Sequence, residues 1–428
     1  MTRVAKNNVV KKKLGLLLGD EDDWPSAIEA LAQRFLKPIK KGRKQYEFEL
    51  ERVRIHPFKL DSPTSYNLVI DRLAWWHTNP REWLKKAAMV NGTYLLNNPF
   101  TFQSMEKHTA YCAMIRLGLH IPETWLIPPK QGPDTDKFRR TAARYHDAFD
   151  LPAVAEEIGY PMFMKPFDGG GWRGVSSVSD ENDLRESYDA SGTMIMHLQK
   201  GIEFDVFVRS LGIGPQVISL SYDPSQPLHG RYSVQHDFLD AKTGHEARAI
   251  TKIINAMFRW EFNSCEALLK DGTLWPIDFA NACPDIALTS LHYYFPWAIK
   301  SLLAWSVYCG VTERQSRITM NLEDYFNIAD TDRSYDEKLM AYEKLADSYL
   351  ETEKFEAFRV KELAGLDEAM WELVGSNEFD AILRRTVENT FPAHEHEGFT
   401  AHYRGLMQHW LEAENTGTAS TQHPANHV

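Results

Sequence analysis

Cysteine is scarce. The chain has four in 428 residues, Cys112, Cys265, Cys283 and Cys309, and none forms a CxxC pair. That spacing speaks against a disulfide framework and a zinc ribbon. Long apolar runs are missing as well: no stretch approaches the roughly 18 residues that span a bilayer. The apolar run after the basic start, Leu14 to Leu18, is too short for a signal-peptide core. Basic residues are not in excess, since 48 Lys and Arg against 59 Asp and Glu leave a net charge of −11, which argues against a nucleic-acid partner. There is no GxxxxGK loop followed by Ser or Thr, and no glycine fingerprint opening a helix, so neither a Walker A loop nor a dinucleotide fingerprint is encoded. These absences predict a cytoplasmic protein with reduced thiols and with no membrane or nucleic-acid partner.

What is present describes a folded protein. Hydrophobic residues make up 43% and aromatics 12%, too many for a solvated coil. At about 150 residues per domain the length suggests roughly three units. Residues 14–18 read as a buried parallel strand, Pro25 to Leu36 as a helix, 46–58 and 66–73 as strands, Arg81 to Val90 as a helix and Tyr94 to Leu96 as a strand. Strands alternating with helices predict an α/β layer with a mainly parallel sheet. This first unit spans 1–98. A second, 99–315, mixes strands and helices. From 316 to 413 the apolar stripe Leu339, Tyr342, Leu345 and Tyr349 predicts a helical region, with Ser334 and Glu337 as a capping box. The polar tail 414–428 reads as disordered.

The most informative segment is 159–178, GYPMFMKPFDGGGWRGVSSV. Gly169, Gly170 and Gly171, followed by Trp172 and Gly174, lie between two strands. A loop so free of Cβ atoms brings backbone N–H groups toward one anion. Lys165 ends the preceding strand and adds a point charge. Taken alone, this cluster reads as a flexible hairpin tip. The order of residues around it reads otherwise: a helix with Lys107, then Lys165, the glycine loop, the strand TMIMHLQ, Glu203, Glu266, Asp278 and Asn281.

Over roughly residues 90–300 this order resembles the ATP-grasp superfamily, and is similar to the D-alanine–D-alanine ligase and ribosomal-protein glutamate ligase families. NNPFTFQSMEKHTAYCAMIRLGLHIPET looks like the first-lysine helix, MHLQKGIEFDVFV like the hinge and CEALLKDGTLWPIDFANACPD like the metal-binding hairpin. The resemblance implies an α/β (α+β) ATP-grasp fold with ATP between two lobes. It implies Lys107, Lys165 and the glycine loop at the phosphates, Met196, His197, Leu198 and Gln199 at the adenine, and Glu203 at the ribose. Magnesium would be held by Glu266, Asp278 and Asn281. Two departures stand out. Asp278 and Asn281 have two residues between them instead of one, which in a regular strand sends their side chains to opposite faces. A bulge or bend at Phe279-Ala280 is therefore required, with Asp285 as a substitute ligand. The arginine that some members carry two residues before the first metal carboxylate is replaced by Ser264, leaving Arg231 or Lys252 to supply that charge.

Other features have plainer readings. The run Lys37 to Lys44 reads as a solvated loop, and His394, His396, His402 and His409 as part of a charged, exposed segment. Trp75, Trp76, Trp297 and Trp305 read as core, and Cys283 as a buried thiol. The expected activity is ATP-dependent ligation of a small-molecule or peptide carboxylate to an amine through an acyl phosphate. The alternatives are a thiol acceptor, a kinase, or a nucleotide-binding regulatory or scaffold protein without turnover. The helical C-terminal region is expected to cover the site or to form an interface, as in a homodimer.

Overall fold

Leu14, Leu16 and Leu17 are buried, and they anchor the central strand of an N-terminal sheet. The computed structural model describes residues 8–101, 106–132, 134–145, 149–170 and 173–415. The N-terminal part runs β1 (Asn8–Leu17), α1 (Asp23–Phe35), β2 (Ile39–Lys41), β3 (Lys44–Arg52), β4 (Leu68–Asp71), α2 (Thr78–Asn91) and β5 (Tyr94–Leu95). Its strand order is β2-β3-β1-β4-β5. All pairings are parallel except that of the edge hairpin β2–β3. The mainly parallel layer expected from the alternation is thus present. The basic run expected to be a loop instead forms that hairpin. Lys44 and Lys12 pair with Glu313 at 2.9 and 3.5 Å, while Lys40, Lys41 and Arg43 stay exposed at the edge, where charge discourages pairing with another chain.

A four-stranded antiparallel lobe follows: α3 (Lys107–Arg116), β6 (Thr124–Ile127), α4 (Asp136–Tyr145), α5 (Leu151–Ile158), β7 (Met162–Pro166), β8 (Ser176–Val178), α6 (Glu181–Ser191) and β9 (Met196–Lys200), in strand order β6-β9-β7-β8. The second lobe comprises β10 (Val206–Ile213), β11 (Gln216–Tyr222), β12 (Tyr232–Ser233), α7 (Ala241–Phe258), β13 (Phe262–Lys270) and β14 (Thr273–Ala282). It forms a five-stranded antiparallel sheet, β12-β11-β10-β13-β14. The rest is helical: α8 (Leu288–Leu291), α9 (Phe295–Thr312), α10 (Glu323–Ala329), α11 (Tyr335–Leu350), α12 (Thr352–Glu362), α13 (Leu366–Val374), α14 (Asn377–Thr390) and α15 (His396–Asn415). Ser334 and Glu337 form the expected capping box. Helix α9 carried no periodic signal because it is buried on almost every side. No helix among the described residues is long and apolar enough to cross a membrane. Of the tail read as disordered, residues 414 and 415 instead end α15, and residues 416–428 lie outside the described residues.

One carboxylate joins these parts. Glu261, 1% exposed, immediately precedes β13. It accepts from Tyr94 Oη at 2.6 Å, Trp305 Nε1 at 2.9 Å, Tyr349 Oη at 2.7 Å and Arg314 Nη2 at 3.4 Å. Its backbone N–H donates to Leu96 O, and its carbonyl accepts from Gly214 N–H, both at 2.8 Å. Gly214 has φ +56°, and a Cβ there would lie 2.3 Å from Trp305 Cδ2, so only glycine lets the indole approach. Breaking a buried charged network by removing one partner typically costs about 3–5 kcal/mol. Glu261→Ala is therefore expected to lower stability by about that amount in urea unfolding, and Glu261→Gln, which keeps an acceptor, by less.

Candidate active site

The site is assembled where the two antiparallel sheets meet α3. In β7 and β9 the two-residue period sorts the side chains. Met162, Met164, Met196 and Leu198 enter the lobe core with Ile127 and Val178. Lys165 and its direct partner across the sheet, His197, share the opposite face. Of the four residues read as adenine contacts, Met196 and Leu198 are therefore core side chains. Only their backbones are left to meet a ligand, while His197 and Gln199 face the site.

Lys165 is 8% exposed and donates to Gln199 Oε1 at 2.6 Å; Gln199 in turn donates to Thr124 Oγ1 at 2.8 Å. Burial, then the nearby charge of Lys107, lowers the Lys165 ammonium to about 8. His197 Nε2 lies 3.2 Å from His108 Nδ1, with the two rings stacked and Tyr111 edge-on to His197. Burial, then His108, pushes His197 down to about 3 and keeps it neutral. Its Nδ1 is buried with no hydrogen-bond partner among the described residues. A buried orphan of this kind calls for a partner.

Lys107 opens α3, a position where the helix dipole disfavours a cation. Its backbone N–H donates to Phe167 O at 2.8 Å, tying the helix to the end of β7. Its ammonium, 8% exposed, reaches Asp278 Oδ2 at 2.6 Å. Glu266, 7% exposed, lies between Arg209 and Asp278 in the sheet register. Burial pushes its carboxyl up, while Arg209, Nη1 3.7 Å away, pulls it down. The guanidinium of Arg209 lies 5.3 and 6.0 Å from the ring centres of Tyr222 and Tyr232, and donates to Ser264 Oγ at 3.4 Å.

The required irregularity in β14 is there. Glu266 faces Asp278 and Ser264 faces Asn281, so two steps on β13 match three on β14, and the register slips between them. The extra residue returns Asn281 to the face of Glu266 and Asp278 while Phe279 and Ala280 are buried. Asn281 Nδ2 donates to Ser264 O at 3.4 Å.

Several assigned residues are elsewhere. Lys252 is a helix-to-helix cation, bonded to Glu343 and Asp347 of α11 at 3.0 Å each, so it does not supply the missing charge. Arg231 braces its own loop through Gln226 O at 3.0 Å and reaches Tyr222 Oη at 3.4 Å. The cation that the structure does place beside Glu266 is Arg209, legible as a lone charge in the apolar strand VFVRSLGI. Glu203, read as the ribose contact, is exposed on the loop between β9 and β10, where its charge acts on Lys270. Asp285 accepts from Ala287 N–H at 2.9 Å and acts electrostatically on Arg209.

In the glycine loop Gly169 has φ +127°, open only to glycine at little cost. Gly170 packs 3.4 Å (from an added Cβ) against Trp76, and Arg173 lies 4.7 Å over the same indole. Gly171 and Trp172 lie outside the described residues, as do residues 102–105 of the first-lysine segment. Trp76, expected in the core, is 46% exposed and meets this loop from outside the core. Trp297 and Trp305 are buried as expected, and Cys283 is a buried thiol that donates to Asp71 Oδ2 at 3.6 Å.

No family model matches the sequence, and no curated protein sequence matches it. Among solved structures the chain is similar to ATP-grasp proteins. One is a RimK domain ATP-grasp protein from Sphaerobacter thermophilus, at 17% identity over 65% of this chain and 93% of that one, TM-score 0.44. Another is D-alanine–D-alanine ligase from Bacillus anthracis complexed with ATP, at 12% identity over 72% and 100%, TM-score 0.46. A third is carboxyaminoimidazole ribonucleotide synthase from Aspergillus clavatus complexed with ATP, at 13% identity over 64% and 70%, TM-score 0.42.

The lowered Lys165 ammonium gives the site a pH dependence. Below about 8 the side chain is charged, and raising the pH through that value removes the charge. Tripolyphosphate is expected to bind more weakly at pH 9 than at pH 7, by about tenfold, the worth of one charged hydrogen bond. Lys165→Met is expected to weaken binding at pH 7 and to lose the Lys165 part of that pH difference, which calorimetry at the two pH values checks.

Proposed function

We propose that this protein is an ATP-dependent ligase of the ATP-grasp type, which phosphorylates a carboxylate and passes the acyl group to an amine. The observation that carries the proposal is the balance of opposed charges in one site: Lys165 and Lys107 beside Asp278 and Glu266, with Arg209 as a third cation on the flank. Transfer of a phosphoryl group to a carboxylate brings two anions together, and fixed counter-charges are what such a step needs.

The residues fit ATP and magnesium. The neutral His197 offers an unpartnered ring nitrogen beside the hinge strand. Lys165 and Lys107 offer point charges to phosphates, and the glycine loop offers backbone N–H groups. Glu266, Asp278 and Asn281 offer oxygen donors on one face. The described residues hold no cluster of three His, Cys, Asp or Glu side chains that would cage a metal. Magnesium suits such a set, since it is commonly held by one or two carboxylates together with phosphate oxygens. When bound, it would neutralise charge developing on the phosphates.

In this reading Lys107 exchanges Asp278 for a phosphate, which frees that carboxylate. Lys165 turns from Gln199 toward the same phosphates. Arg209, held against two tyrosine rings that pack edge to face on each other, faces the substrate carboxylate beside Glu266. The carboxylate oxygen bonds to the γ-phosphorus as the bond to ADP breaks. The amine then attacks the acyl carbon, losing a proton, and phosphate leaves. The glycine loop, seated on Trp76, keeps water from the acyl phosphate.

The test is ADP release from ATP and magnesium in the presence of pooled amino acids and dipeptides, with hydroxylamine as the trap. An acyl hydroxamate is the expected product. ADP without hydroxamate points to a kinase, and no ADP with any carboxylate overturns the proposal. Arg209→Lys is expected to lower kcat by about a hundredfold, as loss of one preorganised transition-state donor does, while ATP affinity changes little. Hydrogen exchange over residues 168–175 is expected to slow when a non-hydrolysable ATP analogue and magnesium are added, and Trp76→Ala to reduce that protection.

A further inference from the structure

Arg209 is covered by Tyr232, and Tyr232 stands on a strand of two residues. Strand β12 lies at the edge of its sheet and pairs only through Ser221 with Ser233 and Tyr222 with Tyr232. So short a pairing is marginal by itself. The restraint comes from the turn 292–294 that follows α8. His292 is 2% exposed and has φ +37°, an uncommon conformation for a residue other than glycine. Its Nδ1 accepts from Tyr293 N–H at 2.8 Å, so in the neutral ring Nε2 carries the proton. The Tyr232 ring meets the imidazole edge-on with centroids 6.3 Å apart, and the Tyr232 backbone lies close enough to favour the imidazole's proton. Burial, with His402 and His229 nearby, lowers the ring to about 4 and keeps it neutral. Tyr294 Oη donates to Ser233 O at 2.9 Å and accepts from Gln235 N–H at 3.3 Å. Helix α15 braces the far side, with Tyr403 Oη donating to Thr289 O at 3.0 Å, His409 against Tyr293 and His402 against His229.

We propose that His292 and Tyr294 are positioning residues of the active site: they fix β12 so that Tyr232 covers Arg209 and the guanidinium stays aimed at Glu266. The catalytic side of this inference rests on the ligase reading above. It gives the C-terminal helices a part in the chemistry, because α15 holds the segment that holds β12. The strained backbone at His292 then has a purpose, since it turns the imidazole back toward Tyr232.

The variants His292→Leu, His292→Gln and Tyr294→Phe test this in the full chain. Glutamine keeps an N–H donor near the place of Nε2, and Tyr294→Phe removes a single hydroxyl, so it is expected to fold. Two readouts are taken. One is kcat for ADP formation beside the Kd for ATP. The other is the Nε–H resonance of Arg209 in a ¹⁵N-labelled protein, assigned by its loss in Arg209→Lys and displaced by the currents of the two tyrosine rings. In His292→Leu and Tyr294→Phe, kcat is expected to fall by about tenfold or more, the usual effect of a small misplacement, with the Kd for ATP within about twofold. The Arg209 resonance is expected to move, and His292→Gln to restore both readouts. An Arg209 resonance unchanged in both Leu and Phe variants overturns the proposal, as does a displaced resonance with unchanged kcat. A resonance that moves in a protein whose wild type releases no ADP refutes the ligase reading and leaves the positioning of Arg209 standing.

Discussion

Everything in this structure is referred to the carboxylate of Glu261. A buried, unpaired carboxylate costs several kcal/mol even after relaxation, so the folded state must bring donors to it. The donors come from β5, α9, α11 and the residue Arg314 just beyond α9. The N-terminal sheet, the second lobe and the helical region therefore close on one point. Glu261 immediately precedes β13, and Glu266 lies five residues on. Fixing the start of that strand fixes the depth at which the site carboxylate sits. The backbone bonds to Leu96 and Gly214 tie the same point to the end of the N-terminal unit and to β10, the strand of Arg209.

The site itself is a balance of opposed charges rather than an excess of one sign. Two unit charges about 4 Å apart interact by roughly 4 kcal/mol at an effective dielectric near 20, so each buried group depends on its neighbours. Lys107 is paired with Asp278, Glu266 faces Arg209, and Lys165 has only the neutral Gln199. Lys165 accordingly holds its proton less firmly than an ordinary ammonium, lowered by burial and by Lys107. A polyanion entering between the lysines would give Lys165 the partner it lacks and would compete for Lys107. The bulge in β14 matters for the same reason, since without it Asn281 would face the opposite side from Asp278.

Much of this was legible in the residues. The strand–helix alternation of the first unit, the glycine loop after Lys165 and the Ser334–Glu337 capping box follow from local rules; the slip at Phe279-Ala280 was legible only because the resemblance asks Asp278 and Asn281 to share a face that strand parity denies them. Periodicity, turn chemistry and parity along a strand need no knowledge of distant neighbours. The illegible parts have physical causes too. Helix α9 has no polar face, so it carries no period. The basic run at Lys37 to Lys44 reads as a loop by charge, yet an edge hairpin keeps charge exposed equally well. Lys252 looked like a free cation near the site because its partners, Glu343 and Asp347, lie about ninety residues away in sequence. Trp76 read as core because an aromatic residue in an apolar run usually is, and the loop it meets is far along the chain.

The sequence by itself determined the chemistry on offer: two lysines, a glycine loop between strands, two carboxylates and an asparagine, in an order that resembles one family of nucleotide-binding folds. It determined which side chains of β7 and β9 share a face, because a strand's period is two whatever surrounds it. Only the tertiary structure decided which groups are partners. Arg209 stands opposite Glu266, Lys107 reaches Asp278, Trp76 seats the glycine loop and His292 holds Tyr232 over the guanidinium. Those pairings join residues tens to about 170 positions apart. They exist because folding desolvates charges and rings that must then find one another, and no local pattern encodes the distance between them.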